Sequence, residues 1–136
     1  MPERITPPFT ESSARQVVRY AEDIWNARVA EVVPDDYTED IKWRYKDIFF
    51  EGRAGILPFL LERWPVQQDY RLKKEMWSFA GNRISVRFIS EWRHCDTGQW
   101  YRSFGNEHWE FAADGLMSVQ DISANDMEIS ESERTL

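Results

Sequence analysis

The stretch Tyr101-Arg-Ser-Phe-Gly-Asn-Glu-His-Trp-Glu-Phe111 sets a carboxylate, a hydroxyl and a glycine among four aromatic side chains. Strand alternation puts Ser103, Gly105, Glu107 and Trp109 on one face and Arg102, Phe104, Asn106 and His108 on the other. The first set is expected to face inward. An inward carboxylate among rings has the chemistry of a general acid or base. The alternative is a structural acid tied to an arginine or to helix N–H groups, and both readings stand at this point. Gly105 beside it leaves room for a ligand to approach the backbone, or marks the bend of a curved strand. Tyr45 ends an alternating run and offers a hydrogen-bond donor. Glu107 and Tyr45 are the candidate catalytic pair. Trp43, Trp64, Phe88, Ser103 and Trp109 are the candidate ligand-binding residues, although aromatic side chains in a chain of 136 residues serve first as core.

Other motifs carry less. His94-Cys95-Asp96 falls at a hairpin end, where adjacent strand residues face opposite ways, and His108 has no third ligand nearby. Residues His94, Cys95 and His108 are therefore not expected to converge, and no metal or cofactor is expected. The sequence has no glycine-rich phosphate loop and no G-x-S-x-G elbow, so nucleotide hydrolysis and serine-hydrolase chemistry find no support. Arg87 and Glu91 suit cross-strand ion pairs on an outer sheet face. Asp126 is expected to cap or tie the first helix.

These groups need elements to hold them. Residues 1–9 carry three prolines and read as an extended arm. Thr10 can cap a helix from about Glu11 to Arg28, in which Ala14, Val17, Val18, Ala21, Ile24, Trp25 and Val29 recur at helical spacing. A short helical turn runs to Val33 and stops at Pro34. Ile41, Trp43 and Tyr45 alternate with Lys42, Arg44 and Lys46 as a short strand. A further helix enters near Gly55, with Pro58 in its first turn, where the missing N–H costs little. After Pro65 the period becomes two. Tyr70–Phe79, Arg83–His94, Gln99–Ala112 and Leu116–Ala124 read as four strands joined at Gly81-Asn82, Asp96-Thr97-Gly98 and Asp114-Gly115. With no helices between them, the sheet is expected to be an antiparallel meander. The tail from residue 128 is acidic and serine-rich and is expected to fray.

This order of elements resembles the nuclear transport factor two-like, or SnoaL-like, superfamily. Lys42-Trp43-Arg44, Leu72-Lys73-Lys74-Glu75-Met76-Trp77-Ser78-Phe79, Gly81-Asn82-Arg83-Ile84, Gln99-Trp100-Tyr101-Arg102-Ser103 and Gly105-Asn106-Glu107-His108-Trp109-Glu110-Phe111 are similar to an uncharacterised branch of it. The resemblance spans roughly Phe9 to Met127. It implies an α+β cone with three N-terminal helices packed on a strongly curved antiparallel sheet, one domain over residues 1–136, and no inherited activity. The superfamily's ketosteroid isomerases use an acidic base at the end of the first strand and a protonated acid as oxyanion donor on a later strand. Registered on this chain, the base position falls at Tyr45, which is no carboxylate, and the donor position falls near Glu107.

A net charge of −7 with scattered arginines argues against nucleic acid as a partner. No apolar run is long enough to cross a bilayer and no signal-peptide pattern opens the chain. Cys95 is the only cysteine, so no internal disulfide forms. These features suit a cytoplasmic setting. Two functions remain. One is a small-molecule-binding cone, as a cofactorless lyase, isomerase or hydrolase acting on a hydrophobic ligand. The other is a non-catalytic dimeric module that binds a ligand or a protein. The resemblance also implies a homodimer formed back to back through the outer sheet face, with Arg87, Ile89, Glu91, Arg102, Phe104 and His108 in the contact.

Overall fold

The structure is a computed structural model that describes residues 3–136. Helix α1 runs from Glu11 to Ala27. The Thr10 side chain accepts from the Ser13 N–H, and the Ser13 hydroxyl accepts from the Thr10 N–H, so two otherwise unpaired donors are satisfied at its start. Its apolar stripe buries Ala14 and Val18 and packs Val17, Ala21, Ile24 and Trp25 against the core. Arg28 ends the helix in the left-handed conformation, with φ 57°. A 3-10 helix over Ala30–Asp36 follows, and helix α2 covers Ile56–Arg63. Pro34 lies inside the 3-10 helix rather than ending it.

Six strands make one sheet: β1 (Tyr37–Tyr45), β2 (Ile48–Glu51), β3 (Gln67–Ala80), β4 (Arg83–His94), β5 (Trp100–Phe111) and β6 (Met117–Ile129). Their order is β2-β1-β6-β5-β4-β3. The hairpins β3–β4, β4–β5 and β5–β6 are antiparallel as expected. Two features differ from expectation. Strand β1 is longer and folds back on β2, a strand that the short apolar segment Ile48-Phe49-Phe50 does not announce. Strand β1 also runs parallel to β6, so the sheet is mixed. The helical segment and the whole meander lie between them in sequence, and that length permits a parallel return.

Strand β3 is an edge, and α1 covers it. Asn26 accepts from the Leu72 N–H at 2.8 Å and donates to the Leu72 carbonyl at 2.9 Å, in the manner of a neighbouring strand. Glu22 accepts from the Lys74 N–H at 2.6 Å. The open edge is thereby closed by side chains.

The core lies between the helices and the inward sheet face, with Ile41, Trp43, Ile56, Leu60, Ile84, Val86 and Trp109 at its centre. The tail, expected to fray, is packed against the sheet. The Thr135 and Leu136 N–H groups donate to the Glu91 carboxylate, and Arg102 bonds both that carboxylate and the Glu133 carbonyl. Arg134 lies over the Trp100 ring. The order comes from Glu91, which the tail leaves only 1 % exposed.

Burial opposes ionisation of Glu91, but the Leu136 N–H, Arg102 and the Thr135 N–H outweigh it and hold the carboxyl below its ordinary range. A depressed folded value means that this latch is fully present above the unfolded carboxylate pKa and is lost as pH falls through the folded one. Glu91→Gln should therefore speed amide exchange at Thr135 and Leu136 at neutral pH. Acidification should do the same to the unaltered protein. Unchanged protection in both cases would show that the tail is held by other contacts.

Candidate functional site

The inward register of β5 is as the alternation predicts: Ser103, Glu107 and Trp109 are buried, while Phe104, Asn106 and His108 are exposed. Glu107 is not alone. The Lys74 ammonium is hydrogen-bonded to its Oε2, and Trp109 Nε1–H donates to Oε1 at 3.0 Å. The side chains of Lys74 and Glu107 are 4 % and 2 % exposed, so this is an ion pair removed from water. Lys74 also lies 5.5 Å from the Phe88 ring centroid and 5.3 Å from that of Trp109, both within cation–π range. Its sequence signal was its phase. Leu72, Lys74 and Met76 share a strand face, and a lysine in step with apolar residues points where they point.

The pair borders a hollow of about 40 Å³ also lined by Tyr45, Trp64, Phe88 and Ser103. Five of the expected site residues thus converge: Glu107, Tyr45, Trp64, Phe88 and Ser103. Trp109 touches the site through its N–H. Trp43 does not line this hollow, being packed among Trp25, Tyr37, Phe50 and Phe59. The hollow is small and holds little more than one water, whereas ligand sites typically span roughly 300–1,000 Å³.

The reason is visible at Gly105. A Cβ there would lie 2.1 Å from the Phe88 ring, which opposes Gly105 in the ladder. The space left by the glycine is taken by a side chain of the protein and not by a ligand.

Around the pair the polar groups are already engaged. Tyr45 accepts from Arg63 at 3.0 Å, and that guanidinium lies 4.2 Å from the Tyr45 ring. Ser103 accepts from Trp92 Nε1–H at 3.1 Å and donates to Asp126 at 2.6 Å, and Lys46 completes that chain at 2.8 Å. Asp126 therefore ties β6 to β5 and to Lys46, and does not cap the first helix. Burial raises its carboxyl pKa, but the hydrogen bonds from Lys46 and Ser103 outweigh this and leave it lowered. Tyr37 donates to Gln120 Oε1 at 2.7 Å. Burial, and then the negative charge of Glu107, push its phenol well up.

A second hollow, of about 320 Å³, lies under the N-terminal arm between α1 and the sheet. It is lined by apolar groups including Ile5, Val17, Ile24, Phe111 and Met117, with Tyr37 on its wall. It has room, and its charged groups, among them the Arg4–Asp36 ion pair at 2.9 Å, are separate from Lys74 and Glu107, which do not line it. Trp25 borders both hollows and stands between them.

The remaining candidates are dispersed. His108 hydrogen-bonds Ser85 on the outer face. The donor atoms of His94, Cys95 and Asp96 do lie within 4.8 Å of one another, because β4 ends at His94 and alternation lapses in the turn. One His94 ring nitrogen there accepts the Asp96 N–H. Glu91 and Arg102, expected in a subunit contact, bond each other and the tail.

Helices packed against a mixed six-stranded sheet, with a polar centre inside, define the cone fold of nuclear transport factor two-like proteins. Over residues 7–136 the sequence matches the family described as protein of unknown function (DUF1348), and the chain belongs to that family. Among curated proteins none matches. The fold is similar to that of the epoxide hydrolase/cyclase-like enzyme SalBIII, which has a role in pyran ring formation in polyether salinomycin. The TM-score is 0.73 and the identity 12 %, over 85 % of this chain and 92 % of that one. It is also similar to an NTF2-like protein of unknown function from Burkholderia pseudomallei K96243, with TM-score 0.70, 17 % identity, and 82 % and 90 % of the two chains covered. Another from Exiguobacterium sp. 255-15 aligns with TM-score 0.67 and 17 % identity over 78 % and 95 %. At these identities the likeness is one of fold. No helix among the described residues is long and apolar enough to cross a membrane.

The buried pair carries a testable energetic signature. Lys74→Met alone leaves an uncompensated buried carboxylate and should cost about 3–5 kcal/mol in urea unfolding. Adding Glu107→Gln keeps an acceptor for the Trp109 N–H and removes the charge. The double variant should recover most of that loss. A double variant no more stable than Lys74→Met would show that the two charges do not depend on each other.

Proposed function

We propose that this protein binds a small hydrophobic molecule bearing a carbonyl or hydroxyl, and acts on it by cofactorless acid–base chemistry at Lys74 and Glu107. The observation that supports this is the buried ion pair itself. Two charges in a dry core cost more than an apolar pair of the same size, and here they border a hollow with a phenol and a hydroxyl in its wall. In this reading Glu107 takes a proton from the carbon beside the ligand carbonyl. The electron pair moves to the carbonyl oxygen, where the Lys74 ammonium stabilises it. Returning the proton to the same carbon, or to a conjugated one, gives exchange or isomerisation. The apolar body of the ligand fits the larger hollow under the arm, and Trp25 must turn aside to let the reacting group through. Catalysis by SalBIII on a similar cone makes an enzyme a reasonable occupant of this fold. Tyr45 keeps its place as a polar group of the site, oriented by Arg63. Trp43 and Trp109 support the wall rather than touch the ligand.

Hydrogen–deuterium exchange at the carbons beside the carbonyl of cyclohexanone, followed in D2O by NMR, tests this. The protein should accelerate the exchange, Glu107→Gln should abolish the acceleration, and resonances of Trp25 and Phe88 should shift on addition of the ketone. Shifts without exchange would leave a non-catalytic binding protein. Absence of both would remove the reading.

We also propose that the subunit pairs with a second copy through the outer sheet face. Ile89 and Phe104 oppose each other across β4 and β5, with Met127 one strand further. Phe104 and Met127 are 43 % and 44 % exposed, an apolar patch of the kind that marks a contact. Glu91 and Arg102 are engaged with each other and with the tail, which leaves Arg87 and His108 of the expected contact set beside the patch. Light scattering should give a dimer mass at micromolar concentration, and Phe104→Glu should give a folded monomer. A monomeric mass for the unaltered protein would overturn the pairing.

A further inference from the structure

Arg28 is a cation without an anion. Its Cζ lies 3.4 Å from the Tyr70 ring centroid and 4.5 Å from that of Trp64. Its Nη2–H donates to Gln67 at 3.2 Å. Its Nε and Nη1 are buried with no hydrogen-bond partner. Among the described residues it takes part in no ion pair. This is unusual in a chain with 24 acidic residues against 17 basic ones, because a buried guanidinium normally has its donors filled. The backbone bears a cost as well. Arg28 adopts the left-handed conformation, where glycine or asparagine would be at ease. The conformation closes the C-terminal end of α1, as a left-handed residue commonly does.

Its surroundings suit a ligand. Arg28 lines a surface groove of about 380 Å³ with Leu60, Leu61 and Pro65, and with Trp64, Gln67 and Tyr70 as its back wall. The same three wall residues line the inner hollow on their other side. Arg63 lines that inner hollow and is likewise in no ion pair, so a guanidinium stands on each side of one wall. Burial first, and then repulsion from Arg63, lower the Arg28 pKa to about 10, with Tyr70 opposing. An arriving anion would relieve both effects. The acids in the groove do not supply that charge. Asp69 is held by Arg93 at 3.0 Å, and Glu31 is exposed.

We propose that this groove is a recognition site for a small organic carboxylate, whose negative charge pairs with the Arg28 guanidinium while its apolar part lies on Trp64, Leu60 and Leu61. The stack on Tyr70 and Trp64 holds the planar fork ready, as lysine could not. The aliphatic and aromatic floor selects against phosphate and other fully hydrated anions. This site does not require the acid–base reading of the inner pair, since the groove opens to solvent without crossing the wall.

Benzoate and benzamide, which differ in charge and little in shape, test it on the full chain. Titration followed by NMR at the arginine Nε–Hε signals and the tryptophan indoles should show benzoate shifting Arg28 and Trp64, with benzamide at least roughly tenfold weaker, the worth of one charged hydrogen bond. Arg28→Met should bring benzoate down to the level of benzamide. Arg28→Gly, which relieves the left-handed backbone, should do the same and keeps the test open if the methionine variant fails to fold. Inorganic phosphate should leave the Arg28 signal in place. Benzoate that binds no more tightly than benzamide, or that binds both variants as it binds the unaltered protein, would overturn the assignment. Cyclohexanone exchange at Glu107 is read separately, so either site can fail without the other.

Discussion

The structure depends on the seam between α1 and the edge of β3. An edge strand leaves main-chain groups without partners, and here the donors and acceptors of Asn26 and Glu22 take the place of a seventh strand. Satisfying Leu72 and Lys74 in this way fixes the distance and phase between helix and sheet. Lys74 then points inward to meet Glu107. Two residues after Asn26 the helix ends, which delivers Arg28 to the face of Tyr70. One side-chain seam thus closes the sheet, positions the buried cation and sets the cation at the mouth.

Inside the cone, size and chemistry are separated. The hollow with the ion pair is small because Phe88 fills the space above Gly105. The hollow with room is mostly apolar and is not lined by Lys74 or Glu107, and Trp25 borders both. A closed interior keeps the Lys74–Glu107 pair dry, which strengthens every interaction it makes. Burial of both side chains also limits contact with them from outside. Trp25 contacts Trp43 and Trp64 in a stacked and an edge-on pair, so its rotation would be felt across the aromatic cluster.

The outer face is shaped by the tail. With residues 131–136 latched on Glu91 and Arg102, one end of the sheet is covered by the chain itself. The apolar patch of Ile89, Phe104 and Met127 stays uncovered beside it. Strands and turns were local enough to read, but this cover joins positions more than 40 residues apart in sequence, and no periodicity signals it.

By itself the sequence determined the helix of α1, the four strands of the meander and their hairpins, and the inward set Ser103, Glu107 and Trp109, because each follows from a period of two or of 3.6 acting on neighbouring residues. It also carried the resemblance to the nuclear transport factor two-like fold. The tertiary structure alone decided that β1 lies parallel to β6, that Phe88 rather than a ligand covers Gly105, and that Glu107 has a lysine partner. It alone left two donors of Arg28 unfilled. These outcomes arise from side chains brought together across the sheet and the helix seam. The partner of a buried charge is set by distance in space, and local pattern records only the direction in which each side chain points.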